Sequence, residues 1–379
     1  MSKIVVAPDS FKGSLNALGV ARALERGIHR VDGGIDTRLV PMADGGEGTV
    51  EALVAAAGGK IVPATVTGPL GKPVDSFFGV LGDGETAVIE MAAASGLPLV
   101  PPAERNPLYT TTFGTGELIK LALEMGMRKL IIGVGGSATN DGGTGMAAAL
   151  GIRFLDQAGN ELPPGGGYLD GLHSLDMSGL DARIKEADIK VACDVTNPLC
   201  GPTGASRIYG PQKGACPDKV ETLDKNLAHF SDVVHRELGK DLKDMPGAGA
   251  AGGLGFGLVA FLNAKLLPGV QIVLEAANID ELVRGADLVI TGEGQTDQQT
   301  LFGKAPVGVA EVADKYGVPV VCISGGLGQD YELLYKKGFT SLFSIVEGPM
   351  SLDQAMKDAG PLLERAAERV LRLFLVGKK

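Results

Sequence analysis

The chain has no tryptophan and few other aromatic residues, with 6 Tyr and 12 Phe among 379 residues. Proteins that bind single-stranded nucleic acid stack bases on aromatic side chains, and this composition offers little for such a surface. Basic residues are also scarce: 35 Lys and Arg face 45 Asp and Glu, and the formal net charge is −10. Because nucleic acids and anionic membranes attract basic surfaces, we expect neither as a partner.

Cysteine is rare as well, and its spacing excludes two kinds of site. The four cysteines are Cys193, Cys200, Cys216 and Cys322, and no two are separated by only two residues. A zinc ribbon or a thioredoxin-like redox motif would need that spacing. The sequence therefore predicts reduced thiols, mostly buried, in a cytoplasmic protein.

Long hydrophobic runs are also missing. The apolar segment at the N-terminus is short and is interrupted by Asp9, which does not fit a signal peptide. The most apolar stretch, 254–274, contains Asn263, Lys265, Pro268 and Gln271, and so it does not read as a transmembrane helix.

Glycine, in contrast, is abundant, at 57 of 379 residues. This is about twice the usual share of ~7%. Many of these glycines lie in acidic loops that directly follow short apolar runs, at 8–14, 41–49, 135–143, 193–197 and 291–297. Carboxylates at strand ends, beside glycines that let backbone amides approach an anion, are typical of substrate sites in α/β enzymes. The loops therefore predict an active site.

The order of the apolar segments predicts an α/β fold with two domains. Strands and helices alternate at the N-terminus and again from about residue 279, which indicates a parallel sheet. Residues 60–92 read instead as three strands joined by turns, an antiparallel meander. Two N-terminal strands are too few for a stable sheet, so the C-terminal strands are expected to complete it. We predict a discontinuous Rossmann-like domain, 1–65 and 280–379, with a mixed α/β domain, 66–279, inserted.

Known nucleotide motifs are absent or incomplete. No GxxxxGK[ST] occurs, and the GxGxxG spelled by 247–252 lacks a preceding strand. A glycine-rich loop that leads into an apolar helix can still bind phosphate through backbone amides. Gly249, Gly252, Gly253 and Gly255 are therefore candidate nucleotide-binding residues. The alternative is that tight helix packing requires glycine at these positions.

Histidine and serine fit catalysis poorly in this chain. None of the four histidines lies in a glycine-rich strand-end loop, and Ser137 lacks the GxSxG context of a nucleophile. A carboxylate is therefore the expected general base, and Asp194, after an apolar strand, is the first choice. In the alternative, Asp194 forms an Asx turn before Pro198, and Asp44 or Asp297 is the base.

The remaining polar residues of the loops suit phosphoryl transfer, which needs Mg²⁺ ligands, cations and an acceptor-orienting carboxylate. Lys12 and Asp44 join Asp194 as catalytic candidates, and Glu293 and Lys304 are candidate nucleotide-binding residues. Asp297 and Asp141 are candidate metal ligands. Substrate binding is assigned to a further set of loop residues, Asp9, Ser10, Asn140, Asp141 and Asn197. Ser10 and Lys12, in a loop that opens a predicted helix, are expected to bind an anionic group of the substrate.

Six blocks together resemble the signature segments of bacterial type I glycerate kinases, and they come in that family's order along the whole chain. The blocks are APDSFKGS (7–14), PMADGGEGT (41–49), ATNDGG (138–143), ACDVTNPL (192–199), GAAGGLG (249–255) and TGEGQTD (291–297). The resemblance implies a kinase that uses ATP and Mg²⁺ to phosphorylate D-glycerate, mostly to 2-phosphoglycerate. We expect small-molecule substrates only, in a cytoplasmic protein that is a monomer or homodimer.

Two other classes of function remain open at this point. A hydrolase or lyase could use an acidic Mg²⁺ site without ATP, and it would not make ADP production depend on glycerate. A non-catalytic binding protein would bind glycerate without turnover.

Overall fold

The structure is a computed structural model that describes residues 2–43 and 45–377. In chain order its strands are β1 (Lys3–Val6), β2 (Asp36–Leu39), β3 (Lys60–Thr67), β4 (Pro73–Val80), β5 (Thr86–Glu90), β6 (Lys129–Gly133), β7 (Arg153–Leu155), β8 (Ser174–Asp176), β9 (Asp188–Ala192), β10 (Lys265–Leu267), β11 (Leu288–Thr291), β12 (Gln295–Thr296), β13 (Val320–Ser324), β14 (Gly326–Leu327) and β15 (Ser341–Ser344).

The α-helices, in the same order, are α1 (Ala17–Val31), α2 (Thr49–Ala57), α3 (Ala92–Ser95), α4 (Phe113–Glu124), α5 (Thr144–Ala149), α6 (Ala205–Tyr209), α7 (Pro217–Leu238), α8 (Ala250–Leu262), α9 (Gly269–Ala276), α10 (Ile279–Val283), α11 (Ala305–Lys315), α12 (Leu352–Lys357) and α13 (Ala359–Val376). Among the described residues, no helix combines the length and apolar character needed to cross a membrane.

The first of two compact units, here the discontinuous unit, consists of residues 1–44, 51–58 and 270–379. Its five strands form a parallel sheet in the order β15-β13-β11-β1-β2. The apolar residues of β1, Ile4–Val6, are fully buried, and Ile4 and Val6 pack in one core with side chains of α1 and α13. The C-terminal strands thus complete the sheet that the N-terminal strands begin, as predicted.

The strand order of this sheet creates a switch point between β1 and β11. From β1 the chain moves outward to β2 on one side, whereas β11, β13 and β15 extend the sheet on the other side. In open parallel sheets, ligands bind in the crevice beyond the carboxyl ends of the strands at such a point. The loops that follow β1 and β11 are therefore the natural place for a ligand on this unit.

The second unit, here the inserted unit, consists of residues 45–50 and 59–269. Its six-stranded sheet has the order β10-β9-β6-β5-β4-β3. Neighbours from β10 to β5 pair in parallel, whereas β5, β4 and β3 form the predicted antiparallel meander. The carboxyl ends of β5, β6 and β9 consequently lie at one edge of the sheet, and two of the glycine-rich acidic loops leave from this edge, after β6 and after β9.

The mixed α/β fold class is confirmed, with a discontinuous Rossmann-like unit and an inserted mixed unit. The unit borders differ from the sequence-based boundaries at 65 and 280. Residues 59–65 lie in the inserted unit, because β3 hydrogen-bonds along its full length with β4. Residues 270–279 lie in the discontinuous unit, where Val270 packs closely over Gly308 of α11.

Residues 352–376 form two helices, α12 and α13, which one residue separates. Ser351 caps α12 by accepting the amide of Gln354, and α12 ends at Lys357 before α13 begins at Ala359. Proline has no amide hydrogen and its ring collides with the carbonyl four residues earlier, so Pro361 fits only the first turn of a helix. The break places Pro361 in that first turn. The segment Tyr331–Lys337 is a 3₁₀ helix.

Candidate active site

The loops after β1 and β11 meet at the switch point of the discontinuous unit. The amide of Asp9 donates to the carbonyl of Gly292 at 2.8 Å, and the hydroxyl of Thr291 donates to the carbonyl of Ala7 at 2.8 Å. Asp9 is only 9% exposed, and its Oδ1 accepts the amide of Ser10 at 2.6 Å. The structure therefore brings the predicted residues Asp9 and Ser10 beside the loop that carries Glu293.

Glu293 is the centre of a buried polar network in this loop. Its Oε2 accepts from Lys304 Nζ at 3.0 Å, and its Oε1 accepts from the hydroxyls of Thr300 at 2.6 Å and Thr296 at 3.3 Å. The side chain of Glu293 is 7% exposed and that of Lys304 is 38% exposed. The buried carboxylate thus holds the ammonium group of a partly exposed lysine. A cation held in this way suits a nucleotide phosphate.

Lys12 is exposed in the loop between β1 and α1. The helix that follows this loop, α1, begins only at Ala17, and Asn16 caps it by accepting the amide of Gly19 at 2.8 Å. Lys12 is therefore not at the N-terminus of a helix, and the dipole argument for anion binding there does not apply. The charge of Lys12 remains as the basis for its assignment.

Asp297 caps the short 3₁₀ segment Gln298–Leu301. Its Oδ1 accepts the amide of Gln299 at 2.8 Å, and the hydroxyl of Thr300 accepts the amide of Asp297 in return. Within the described residues, no group of three or more His, Cys, Asp or Glu side chains is arranged to hold a metal. Mg²⁺ in nucleotide enzymes needs only one or two carboxylates beside the phosphates, and the half-buried Asp297 fits that donor set. Asp44 lies outside the described residues.

On the inserted unit, Asp141 is fully buried in the loop after β6. One carboxylate oxygen accepts the amide and hydroxyl of Thr112 and the amide of Gly145, and the other accepts the amide of Gly143. Burial raises the pKa of Asp141, and these hydrogen bonds oppose that shift. The contacts favour a role in holding the loop in shape over metal or substrate binding.

The residues just before Asp141 carry buried polar atoms that lack partners. Asn140 is fully buried, and its Nδ2 donates to the hydroxyl of Ser206 at 3.0 Å. Within the described residues, neither Asn140 Oδ1 nor Thr139 Oγ1 has a hydrogen-bond partner. Such groups are costly to leave unpaired and are concentrated at functional positions. Asn140 therefore remains a candidate substrate-binding residue.

Lys213 is a member of this cluster that the sequence did not single out. It is 2% exposed, and its Nζ donates to Ser137 Oγ and to the carbonyl of Thr139, both at 2.7 Å. Burial lowers the pKa of Lys213 to about 7, an effect that the negative charge of Asp141 opposes. Lysine is almost never buried without a partner. In the sequence Lys213 resembled an ordinary surface residue of a Pro/Gly-rich loop, so no local signal marked it.

The glycines proposed to bind phosphate are all buried and packed against other backbone. A Cβ at Gly252 would lie 2.0 Å from the carbonyl oxygen of Thr139, and a Cβ at Gly249 would lie 2.3 Å from that of Pro198. A Cβ at Gly253 would lie 2.8 Å from the nearest backbone atom, and a Cβ at Gly255 would lie 2.3 Å from its nearest backbone atom. Close packing is therefore sufficient to explain why these positions are glycine, which is the alternative given in the sequence analysis. The presence of glycine is then no longer an argument for phosphate binding at this loop.

Asp194 and Asn197 follow β9 and differ in their surroundings. Asp194 is exposed, and its Oδ1 accepts the amide of Gly269, the first residue of α9, at 2.8 Å. Both ends of the Asn197 amide are engaged, since Nδ2 donates to the carbonyl of Thr203 and Oδ1 accepts from the hydroxyl of Tyr209. Asn197 therefore fits a role in stabilising the loop, whereas the exposed Asp194 can reach a substrate.

Comparison with known proteins gives one consistent family. Residues 4–375 match the model of the glycerate kinase family. A glycerate kinase of Bacillus subtilis is 55% identical over 376 residues, which cover 99% of this chain and 98% of that protein. Glycerate 2-kinase of Escherichia coli is 51% identical, with coverage of 100% and 99%. A crystal structure assigned to glycerate kinase 2 of Salmonella typhimurium LT2 is 49% identical, has a TM-score of 0.91 and covers 100% of this chain and 99% of that one.

Proposed function

Because this chain belongs to the glycerate kinase family and is a kinase, we propose that it transfers the γ-phosphoryl group of ATP to a hydroxyl of D-glycerate. The observation that carries the proposal is the family match over residues 4–375, together with identities of 50% or more to proteins named for this activity. The product we propose is 2-phosphoglycerate, because the relative in Escherichia coli is named a glycerate 2-kinase. We also propose that the protein is cytoplasmic and is a monomer or a homodimer.

We assign the nucleotide phosphates to the switch point of the discontinuous unit. Lys304, which Glu293 holds by an ion pair, would face the phosphate oxygens, and the exposed Lys12 would add a second positive charge. Asp297 would hold Mg²⁺, which supplies charge neutralisation on the phosphates when it is bound. This arrangement moves the nucleotide away from Gly249–Gly255, where packing explains the glycines.

Asp194 is the proposed general base. The hydroxyl of glycerate has a pKa far above 7, so its proton must leave as the new O–P bond forms. Asp194 would accept this proton while the bond between the γ-phosphorus and the bridging oxygen of ADP breaks. Its exposure after β9 and its hydrogen bond to the amide of Gly269 are compatible with this role.

The test is a product assay on the purified protein with ATP, Mg²⁺ and D-glycerate. We expect ADP to form only when D-glycerate is present, and ¹³C and ³¹P NMR should show phosphate on the oxygen at carbon 2. Phosphate on the oxygen at carbon 3 would mean that the product is 3-phosphoglycerate, while the proposed kinase activity would still hold. ADP formation that does not depend on D-glycerate would indicate a hydrolase. Binding of D-glycerate without formation of ADP would indicate a binding protein. Omission of Mg²⁺, or its removal by chelation with EDTA, tests the metal requirement.

A further inference from the structure

Ser137 lies where the loop after β6 reaches the surface of the inserted unit. The preceding residues, Gly135 and Gly136, are exposed, whereas Ser137 is 8% exposed. Behind Ser137 is the ammonium group of Lys213, which is buried and donates to Ser137 Oγ at 2.7 Å. This hydroxyl therefore accepts a hydrogen bond from a buried lysine, and the two residues before it in the chain are exposed.

The hydrogen bond from Lys213 determines what Ser137 can offer a ligand. A hydroxyl has one hydrogen to donate and two lone pairs to accept with. Because Lys213 occupies a lone pair as a donor, the hydrogen of Ser137 is directed elsewhere. Lys213 Nζ also donates to the carbonyl of Thr139 at 2.7 Å, so two acceptors hold this amino group in place. Ser137 is thus a polarised donor, and its natural partner is a negatively charged oxygen.

We propose that Ser137 binds an anionic oxygen of a substrate and that Lys213 is a positioning residue that acts through Ser137. The anion is the carboxylate of D-glycerate or a phosphate of the nucleotide, because both present the same oxygen chemistry. This inference rests on the proposed function and adds a subsite to it.

Two further features of the loop agree with a subsite at this place. Thr139 Oγ1 and Asn140 Oδ1 are buried, and the described residues supply neither atom with a hydrogen-bond partner. Asp141 fixes the next part of the loop through the amides of Thr112, Gly143 and Gly145. A rigid loop with polarised and unpaired polar atoms is suited to hold a small polar ligand without rearrangement.

The experiment compares steady-state kinetics of the wild type with Ser137→Ala, Lys213→Met and the double variant, varying D-glycerate and ATP separately. Loss of a hydrogen bond to a charged group is expected to raise KM about 10- to 100-fold for one of the two substrates. Because this contact exists before and during the reaction, kcat should stay within a few-fold. A rise in KM for D-glycerate identifies the carboxylate as the anion, and a rise for ATP identifies a phosphate.

The double variant separates positioning from general damage to the fold. If Lys213 acts through Ser137, the double variant should have the KM of Ser137→Ala within about twofold, because coupled residues are not additive. Ser137→Thr, which keeps the hydroxyl, should restore KM, and Gln212→Met, at the exposed neighbour of Lys213, is the matched control.

Unchanged KM values for both substrates in Ser137→Ala would overturn the inference, as would fully additive effects in the double variant. The Ser137→Ala result is decisive even if Lys213→Met does not fold. A wild type without glycerate-dependent ADP formation would instead remove the proposed function, so the two failures are distinguishable.

Discussion

Asp194 can be tested for its role as base without removing its hydrogen bond to the amide of Gly269. Asparagine can accept the amide of Gly269 as aspartate does, but it cannot take up a proton. We expect Asp194→Asn to lower kcat by ~10² to 10⁴-fold, the usual size of general-base catalysis, with little change in Tm or in KM for ATP. Steady-state assays of ADP release and thermal unfolding measure these quantities.

Asp194→Ala is the companion variant, because it removes the hydrogen bond as well as the carboxylate. It should show the same loss of kcat and an added loss of stability of about 1 kcal/mol. Full activity in Asp194→Asn would end the assignment and leave Asp44 and Asp297 as the candidate bases.

Lys213 should leave a signature in the pH dependence of stability. Its pKa is about 7 in the folded protein, against 10.5 as the ordinary value. Between these two values the unfolded chain binds more protons, so stability rises with pH. The cost of burying the charge is therefore fully present below pH 7 and declines toward pH 10.5. Relative to Lys213→Met, the wild type should gain about 1 kcal/mol per pH unit in this range.

Thermal unfolding from pH 7 to 10 measures this difference as a change in the Tm gap between the two proteins. Lys225→Met is the control, because Lys225 is exposed on α7 and pairs with Glu221 at the ordinary helical spacing. Its Tm should follow the wild type at every pH. Parallel profiles for Lys213→Met and the wild type would show that Lys213 titrates at its ordinary pKa.

At the residue scale, the sequence was sufficient to place the acidic loops after strands, but it was not sufficient to assign a role to each carboxylate. Asp9, Glu293 and Asp194 follow strands as expected because the alternation of apolar runs and glycine-rich loops is visible in the sequence. Lys213 was missed because its burial depends on the loops after β6 and on Ser137, 76 residues away. Tertiary contacts also decide that Asp141 is engaged by Thr112 and Asn197 by Tyr209.

At the scale of helices and strands, hydrophobic periodicity was sufficient for the long elements. The helix Pro217–Leu238 buries apolar side chains at helical spacing along its length, and the meander β3–β5 follows the predicted strands closely. Short pieces such as β7, β8, β10 and α9 were not predicted, since runs of three to eight residues show little period. Their formation depends on neighbours that are distant in the chain, as in the pairing of β10 with β9.

The close contact between α1 and α13 gives a test of packing at this scale. A Cβ at Gly27 of α1 would lie 2.2 Å from the carbonyl oxygen of Glu364 and 2.8 Å from Ala367 Cβ, both in α13. Alanine favours an isolated helix by about 1 kcal/mol over glycine. Here the collision with backbone should outweigh that gain, and Gly27→Ala is expected to destabilise the protein by about 1–3 kcal/mol.

Gly360→Ala is the matched control, because Gly360 lies in α13 and its Cβ would meet no atom within 4 Å. It should leave Tm unchanged or raise it. Chemical unfolding of the two variants at one pH compares them directly. A Gly27→Ala protein as stable as the wild type would mean that the two helices separate at little cost.

At the scale of the whole molecule, the chain divides its candidate residues between two units. The discontinuous unit carries Asp9, Lys12 and the Glu293–Lys304 ion pair, whereas the inserted unit carries Asp194 and the Ser137–Lys213 pair. Each unit has its own sheet and its own buried core. The sequence predicted this division, because the alternation of strands and helices gives way to an antiparallel meander at residues 60–92. The exact borders depend on the elements against which β3 and α9 pack.

Hydrogen exchange across the whole chain can test where the nucleotide binds. With Mg²⁺ and a non-hydrolysable ATP analogue, we expect slower amide exchange in 9–14 and 292–304, because bound phosphates would order the loops at the switch point. Amides of 249–255 should already exchange slowly in the free protein, since these residues are buried, and should change little on binding. D-Glycerate alone serves as the comparison for ligand-specific protection. New protection confined to 249–255 would return the nucleotide to the glycine-rich loop and refute its assignment to Lys304.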